Sequence, residues 1–194
     1  IINGMFNCWQ RGTSFSANGY GADRWTYGTS GGAGVHSRQN HSVADQTTFN
    51  TPYFHRLAVS SGNNNQGMSQ NIEDITRFAG KTITVSFYLK GTNPAGGSFA
   101  TILGGYMGSG GSGDWELTHA DAITVTSSRQ RYTREFTCPE NTGRTIGTSH
   151  FLYFYPARQP TADNGTAAWT LDMANVQLEV GSQSTPFEHE PVGV

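Results

Sequence analysis

Hydrolysis needs two carboxylates flanking the bond to be cleaved, or a nucleophile beside a base. This chain offers one acidic cluster near an aromatic: Asp114, Glu116 and Asp121 around Trp115. A glycosidase sets its carboxyls about 5–10 Å apart, and the alternate positions Asp114 and Glu116 fall on one face of a strand. Such pairs are also common on loop rims as solvated charge, and nothing beside them in sequence supplies the raised pKa of a general acid. Gly-x-Ser-x-Gly occurs only inside the run Gly108-Ser109-Gly110-Gly111-Ser112-Gly113, which is low complexity rather than a strained nucleophile elbow. Walker, dinucleotide and His-Glu-x-x-His patterns do not occur. His36, His41, His55, His119, His150 and His189 are scattered singly, without the orienting partner a catalytic histidine requires. The residues point away from catalysis and the chain reads as a non-enzyme.

Recognition is the other chemistry available. A sugar presents a flat C–H face ringed by hydroxyls, so a receptor sets an aromatic under the face and Asn, Gln, Arg or Asp around it. Phe6, Trp9, Trp25, Phe87 and Phe136 sit in regular strand patterns and are assigned to the core. Tyr106, Trp115, Tyr153, Tyr155 and Trp169 are the ligand-binding candidates, because they flank the glycine-rich run or alternate with other aromatics. In Phe151-Leu152-Tyr153-Phe154-Tyr155, Leu152 and Phe154 make the natural core face. Phe151, Tyr153 and Tyr155 then form an aromatic ladder on the other, suited either to a glycan or to a partner subunit.

Strands must hold these rings. Ile83, Val85, Phe87 and Leu89 alternate with Thr82, Thr84, Ser86 and Tyr88, the clearest period-two run in the chain. Further strands are expected near Asp23–Tyr27, Val35–Gln39, His55–Ser60, Met68–Ile72, Phe99–Met107, Ile123–Val125, Arg131–Cys138, Phe151–Tyr155 and Trp169–Glu179, with both chain ends also reading as strands. Gly- and Asn-rich turns between them indicate an all-β antiparallel sandwich. One short helix is expected over Ile72–Ala79, stopped by Gly80. The stretches from Gly91 to Gly97, Gly104 to Trp115 and Ala157 to Ala167 are expected to be surface loops. No linker or internal repeat interrupts the 194 residues, which read as a single domain, 1–194.

Charged residues make up 13% and the net charge is −2, so there is no basic surplus to neutralise phosphates and nucleic acid is not an expected partner. No apolar run approaches the ~20 residues that span a bilayer, and the start lacks the features of a signal peptide. Without an initiating methionine, the chain reads as an excised or processed fragment. Cys8 and Cys138 fit no zinc spacing; two buried small hydrophobes is the preferred reading, a single bridge the alternative.

The blocks Asn3–Gly12 with Asp23-Arg24-Trp25, Gln70–Phe87, Gln130-Arg131-Tyr132-Thr133 and Trp169–Glu188 resemble the jelly-roll domains near the ends of bacteriophage tail-fibre and receptor-binding proteins. That resemblance covers most of the chain. It implies a jelly roll similar to carbohydrate-binding modules, carried in the virion on a homotrimeric fibre, with a host cell-surface glycan and other fibre subunits as partners; the alternatives are a structural virion module that mediates fibre oligomerisation or attachment, and a bacterial carbohydrate-binding module. Chains of that family typically continue past Pro186-Phe187-Glu188 with an apolar stretch and a Cys-Gln-Arg-Tyr-like segment, and often carry tryptophan where Arg129 stands. No set of binding residues is shared at matching positions, so none is carried over. Many carbohydrate-binding jelly rolls also hold calcium between the first and last strands. Here Asn3, Asn7, Asp172 and Asn175 would have to serve; with no carboxylate opposite Asp172 the set is under-charged, which leaves calcium open but unsupported, and a hydrogen bond to a neighbouring loop is the preferred role for Asp172. No cofactor is expected.

Overall fold

The computed structural model describes residues 1–28, 32–62, 66–94, 97–159 and 168–189. Within them, twelve strands numbered along the chain form two antiparallel six-stranded sheets. The first sheet runs β1 (Ser14–Phe15), β4 (Gly32–Asn40), β5 (Tyr53–Gly62), β12 (Trp169–Val180), β7 (Thr82–Gly91), β10 (Gln130–Thr137). The second runs β2 (Gly19–Tyr20), β3 (Trp25–Gly28), β6 (Gly67–Glu73), β11 (Phe151–Arg158), β8 (Ala100–Tyr106), β9 (Trp115–Thr118). Strands distant in sequence are neighbours, as in the expected sandwich.

Alternation decides what enters the core. Ile83, Val85, Phe87 and Leu89 of β7 are fully buried, as are Leu152 and Phe154 of β11, and the rings of Phe87 and Phe154 meet between the sheets at 6.1 Å. Each such side chain contributes about 1.5–3 kcal/mol by leaving water. Phe6, Trp25 and Phe136 are also core, whereas Trp9 is only partly buried and stacks on His55. On the other face of β7, Thr84 and Ser86 are buried too. Thr84 donates to the Gly181 carbonyl at 2.6 Å, and Ser86 accepts from Arg131 at 3.2 Å.

Several expectations are corrected. The Ile72–Ala79 helix is absent: β6 runs on to Glu73, Asp74 turns left-handed (φ 67°), and only a single 3-10 turn, Ile75–Phe78, follows. The α-helix is α1, Val43–Phe49, opened by the Ser42 hydroxyl accepting the Asp45 N–H at 3.1 Å and closed by Asn50 in the left-handed region. The N-terminal segment is not a strand, because Asn3 (φ 55°) and Phe6 (φ 57°) coil it while the Asn3 amide caps Cys8. Ile123–Val125 makes only one bridge, Ile123 to Phe99. Gly104 and Gly105 lie in β8, buried, rather than in a loop. Ala157 and Arg158 close β11, while 160–167 fall outside the described residues. Both thiols are free; Cys138 is buried and pushed up to about 11 by desolvation, but Cys8 is exposed.

Candidate functional site

The outward face of the second sheet gathers the aromatic ladder. On β11, Tyr153 and Tyr155 stand on the face opposite Leu152 and Phe154, half-buried, and meet edge to face with centroids 6.2 Å apart. Phe151, on the same face, packs against its cross-strand partner Tyr106 at 4.9 Å. Gly104 faces Tyr153 across β8, and a Cβ there would lie 2.1 Å from the phenol ring, so glycine is what lets that ring lie flat on the sheet.

Polar groups surround the rings. Register places Asn71 of β6 opposite Tyr153, and next to it the hydroxyls of Ser69 and Thr26 sit 2.9 Å apart. On the other flank, Glu116 of β9 accepts from Arg158 at 2.8 and 3.2 Å and from the Tyr153 hydroxyl at 3.2 Å, while the Arg158 guanidinium lies over the Tyr155 ring at 5.3 Å. These groups line a shallow hollow of about 370 Å³. Burial first, and then the adjacent Glu116 charge, push the Tyr153 phenol well above the ordinary tyrosine range, so it is a hydrogen-bond donor.

Of the five candidates, the fold brings together Tyr153 and Tyr155, with Tyr106 beside them through Phe151. It removes the other two. Trp169 is 2% exposed and packs against Phe99 in a T-shaped contact, so it is a core residue. Trp115 is next to Glu116 in sequence but on the opposite face of β9, its ring over Gly105 and against the core. Sequence reasoning missed Arg158, Asn71, Ser69 and Thr26; their types were visible, but the register that puts them beside Tyr153 was not.

The acidic cluster does not form a catalytic pair. Asp114 accepts the Met107 N–H at 2.9 Å, Asp121 is exposed near His119, and Glu116 is tied to Arg158 as the single carboxylate lining the hollow. The calcium ligands do not fit an ion either. Asp172 is held by Arg56 of the neighbouring strand through two hydrogen bonds of 2.6 and 2.7 Å, not by a loop, and Asn175 donates to the Phe49 carbonyl at 3.0 Å. Among the described residues, no three His, Cys, Asp or Glu side chains cluster for a metal.

No protein-family model and no curated protein matches the chain. Among solved structures it is similar to the C-terminal family 22 carbohydrate-binding module of Clostridium thermocellum Xyn10B. The TM-score is 0.53 at 11% identity, covering 93% of this chain and 100% of that one. It is also similar to the N-terminal CBM22-1–GH10 modules of xylanase 10B from the same organism, solved with xylohexaose. There the TM-score is 0.50 at 10% identity, covering 88% of this chain and 28% of that one. The enzymatically active domain of tailspike protein 4 of bacteriophage CBA120 matches at TM-score 0.49 and 13% identity, over 81% of this chain and 19% of that one. The fold is that of jelly-roll carbohydrate-binding modules.

Proposed function

We propose that the protein is a non-catalytic carbohydrate-binding domain that holds a polysaccharide on the Tyr153/Tyr155 face of the second sheet. The observation that carries this is the pair of tyrosines flanked by amide, hydroxyl and guanidinium groups in one open hollow. Rings of this kind cover a sugar's C–H face, and the groups around them answer its hydroxyls. The fold supports the reading, since the similar C-terminal family 22 module of Clostridium thermocellum Xyn10B is a carbohydrate-binding module. With one carboxylate in the hollow, tied to Arg158, binding without hydrolysis is the activity that fits.

The test is calorimetric titration against xylan, cellulose and a panel of bacterial surface glycans. At least one ligand is expected to bind, with Tyr153→Ala and Tyr155→Ala each weakening it tenfold or more, about 1.4 kcal/mol. Wild-type affinity in both variants would defeat the assignment. On the sequence resemblance, the domain is further assigned to a phage tail fibre in the virion, binding a host-surface glycan as a homotrimer. The half-buried aromatic face also supports a second reading, a contact between fibre subunits. Trimers in sedimentation that dissociate in the Tyr153 and Tyr155 variants, with no glycan bound, would favour that one.

A further inference from the structure

We propose that the chain carries a second binding site, unrelated to the tyrosine face, which takes up an extended segment of a partner polypeptide by strand addition to the free edge of β12. β12 pairs with β5 only from Trp169 to Met173, but its pairing with β7 continues to Val180. Among the described residues, the last part of β12 therefore has a strand neighbour on one side and, on the other, a single backbone partner, Gly4, whose carbonyl takes the Val176 N–H at 3.0 Å. Amide direction alternates along an extended strand. The Gly181 N–H points to Thr82 of β7 at 2.8 Å and the Val176 N–H points away from β7, so the Leu178 and Val180 N–H groups also point away. Among the described residues, no backbone group meets them there. An open row of main-chain donors and acceptors is satisfied by another extended main chain.

The space beside this edge is the right size. A hollow of about 750 Å³ lies there, lined by Ile1, Met5, Leu178 and Phe187 together with Arg11 and Glu188. At 3.4 Å per residue, the overhang from Val176 to Val180 takes a strand of about five residues. Ile2, which lines the hollow, is 51% exposed, and Val180, at the end of the β12 overhang, is 59% exposed. Large apolar side chains at an open strand edge mark an interaction site rather than a finished surface. The occupant is accordingly a segment with apolar residues at alternate positions, their side chains against the Leu178 and Phe187 wall.

Cys8 is exposed and lines the same hollow, which allows a test without knowing the natural sequence. A peptide of alternating threonine and valine, capped at both ends and carrying a flexible haloacetyl linker, is joined to Cys8 as a thioether. A second peptide has the same side chains, with alternate backbone nitrogens methylated. Tethering supplies an effective concentration of about millimolar. Amide hydrogen exchange is then read residue by residue. The unmodified peptide is expected to slow exchange at Leu178 and Val180 at least tenfold while Gln177 and Glu179, already bonded to β7, stay unchanged; the methylated peptide leaves all four unchanged. Equal effects of the two peptides, or none from either, overturns the proposal. So does protection of Leu178 that rises with protein concentration alone, which assigns the edge to a second copy. Glycan titration is independent of this readout, so either site can fail without the other.

Discussion

His36 and His55 lie side by side in the core, 0% and 1% exposed, with ring centroids 5.8 Å apart. Phe15, Tyr27, Phe6 and Trp9 enclose them. Burial lowers His36 to about 4, against a weaker opposing backbone contact from Ala17; burial, and then the neighbouring His36, hold His55 well below the ordinary range. Each histidine is neutral in the fold yet protonated near pH 6.5 once unfolded. Stability is therefore fully present above pH 6.5 and is lost as pH falls towards 4 and, for His55, lower. The loss reaches about 3 kcal/mol for His36 over that interval, at roughly 1.4 kcal/mol per pH unit. Thermal unfolding from pH 8 to 4 is expected to show a flat midpoint down to 6.5 and a decline below it, with a shallower decline in His55→Phe. An unchanged slope in that variant would count against the histidines as the cause. Tyr153 is shifted in the opposite sense: ultraviolet titration is expected to find it, like the partly buried Tyr132, ionising later than a tyrosine in water, and Glu116→Gln to bring Tyr153 alone earlier by removing the second cause of its shift.

Adjacent glycines in β8 do different work because a strand turns successive residues to opposite faces. A Cβ on Gly104 meets the far end of the Tyr153 ring, whereas one on Gly105 meets Ile75 at 2.2 Å and Trp115 at 2.4 Å on the core side. Gly104→Ala is expected to displace Tyr153 and cut glycan affinity while moving stability by less than about 1 kcal/mol. Gly105→Ala is expected to cost about 1–3 kcal/mol by overpacking, with the tyrosine face intact. Reversal of that pattern in paired unfolding and titration experiments would refute the assigned faces. In the first sheet, Arg56→Met leaves the buried Asp172 carboxylate unpaired. The expected loss is about 2–3 kcal/mol in denaturant unfolding, less than for a fully buried pair because about a third of the Arg56 side chain sees water. At this scale the alternating runs of β7 and β11 were legible down to single side chains. The Ile72–Ala79 helix was misread because its apolar spacing fits both a helix and a strand leading into a 3-10 turn, and the Asp74 backbone decided between them. The Gly104–Gly105 strand was hidden because glycine's usual meaning is a loop, and its use here, making room for rings on other strands, is a long-range fact.

In the whole molecule the N-terminal segment ties the two sheets together. Gln70 of the second sheet exchanges hydrogen bonds of 2.8 and 2.7 Å with the Ile2 backbone, Gly4 bonds Val176 of the first, and Phe6 is fully buried against Trp25. Phe6→Ala is therefore expected to lower stability by about 3–5 kcal/mol in denaturant unfolding, as for a central core residue; a cost under 1 kcal/mol would show that the segment is an appendage. The sequence by itself determined the class of fold, an antiparallel sandwich, and the inward set of the clearest strands, because side-chain alternation is local. Tertiary structure alone decided the site. Tyr153 and Tyr155 gain Glu116 from 37 or more residues away and share their hollow with Thr26 and Ser69, while Trp115 and Trp169, chosen by their local sequence neighbours, turn to the core. The reason is register: the residues that face each other around Tyr153 are set by the pairing of β3, β6, β11 and β8, strands far apart in sequence, and no local pattern in the chain encodes that pairing.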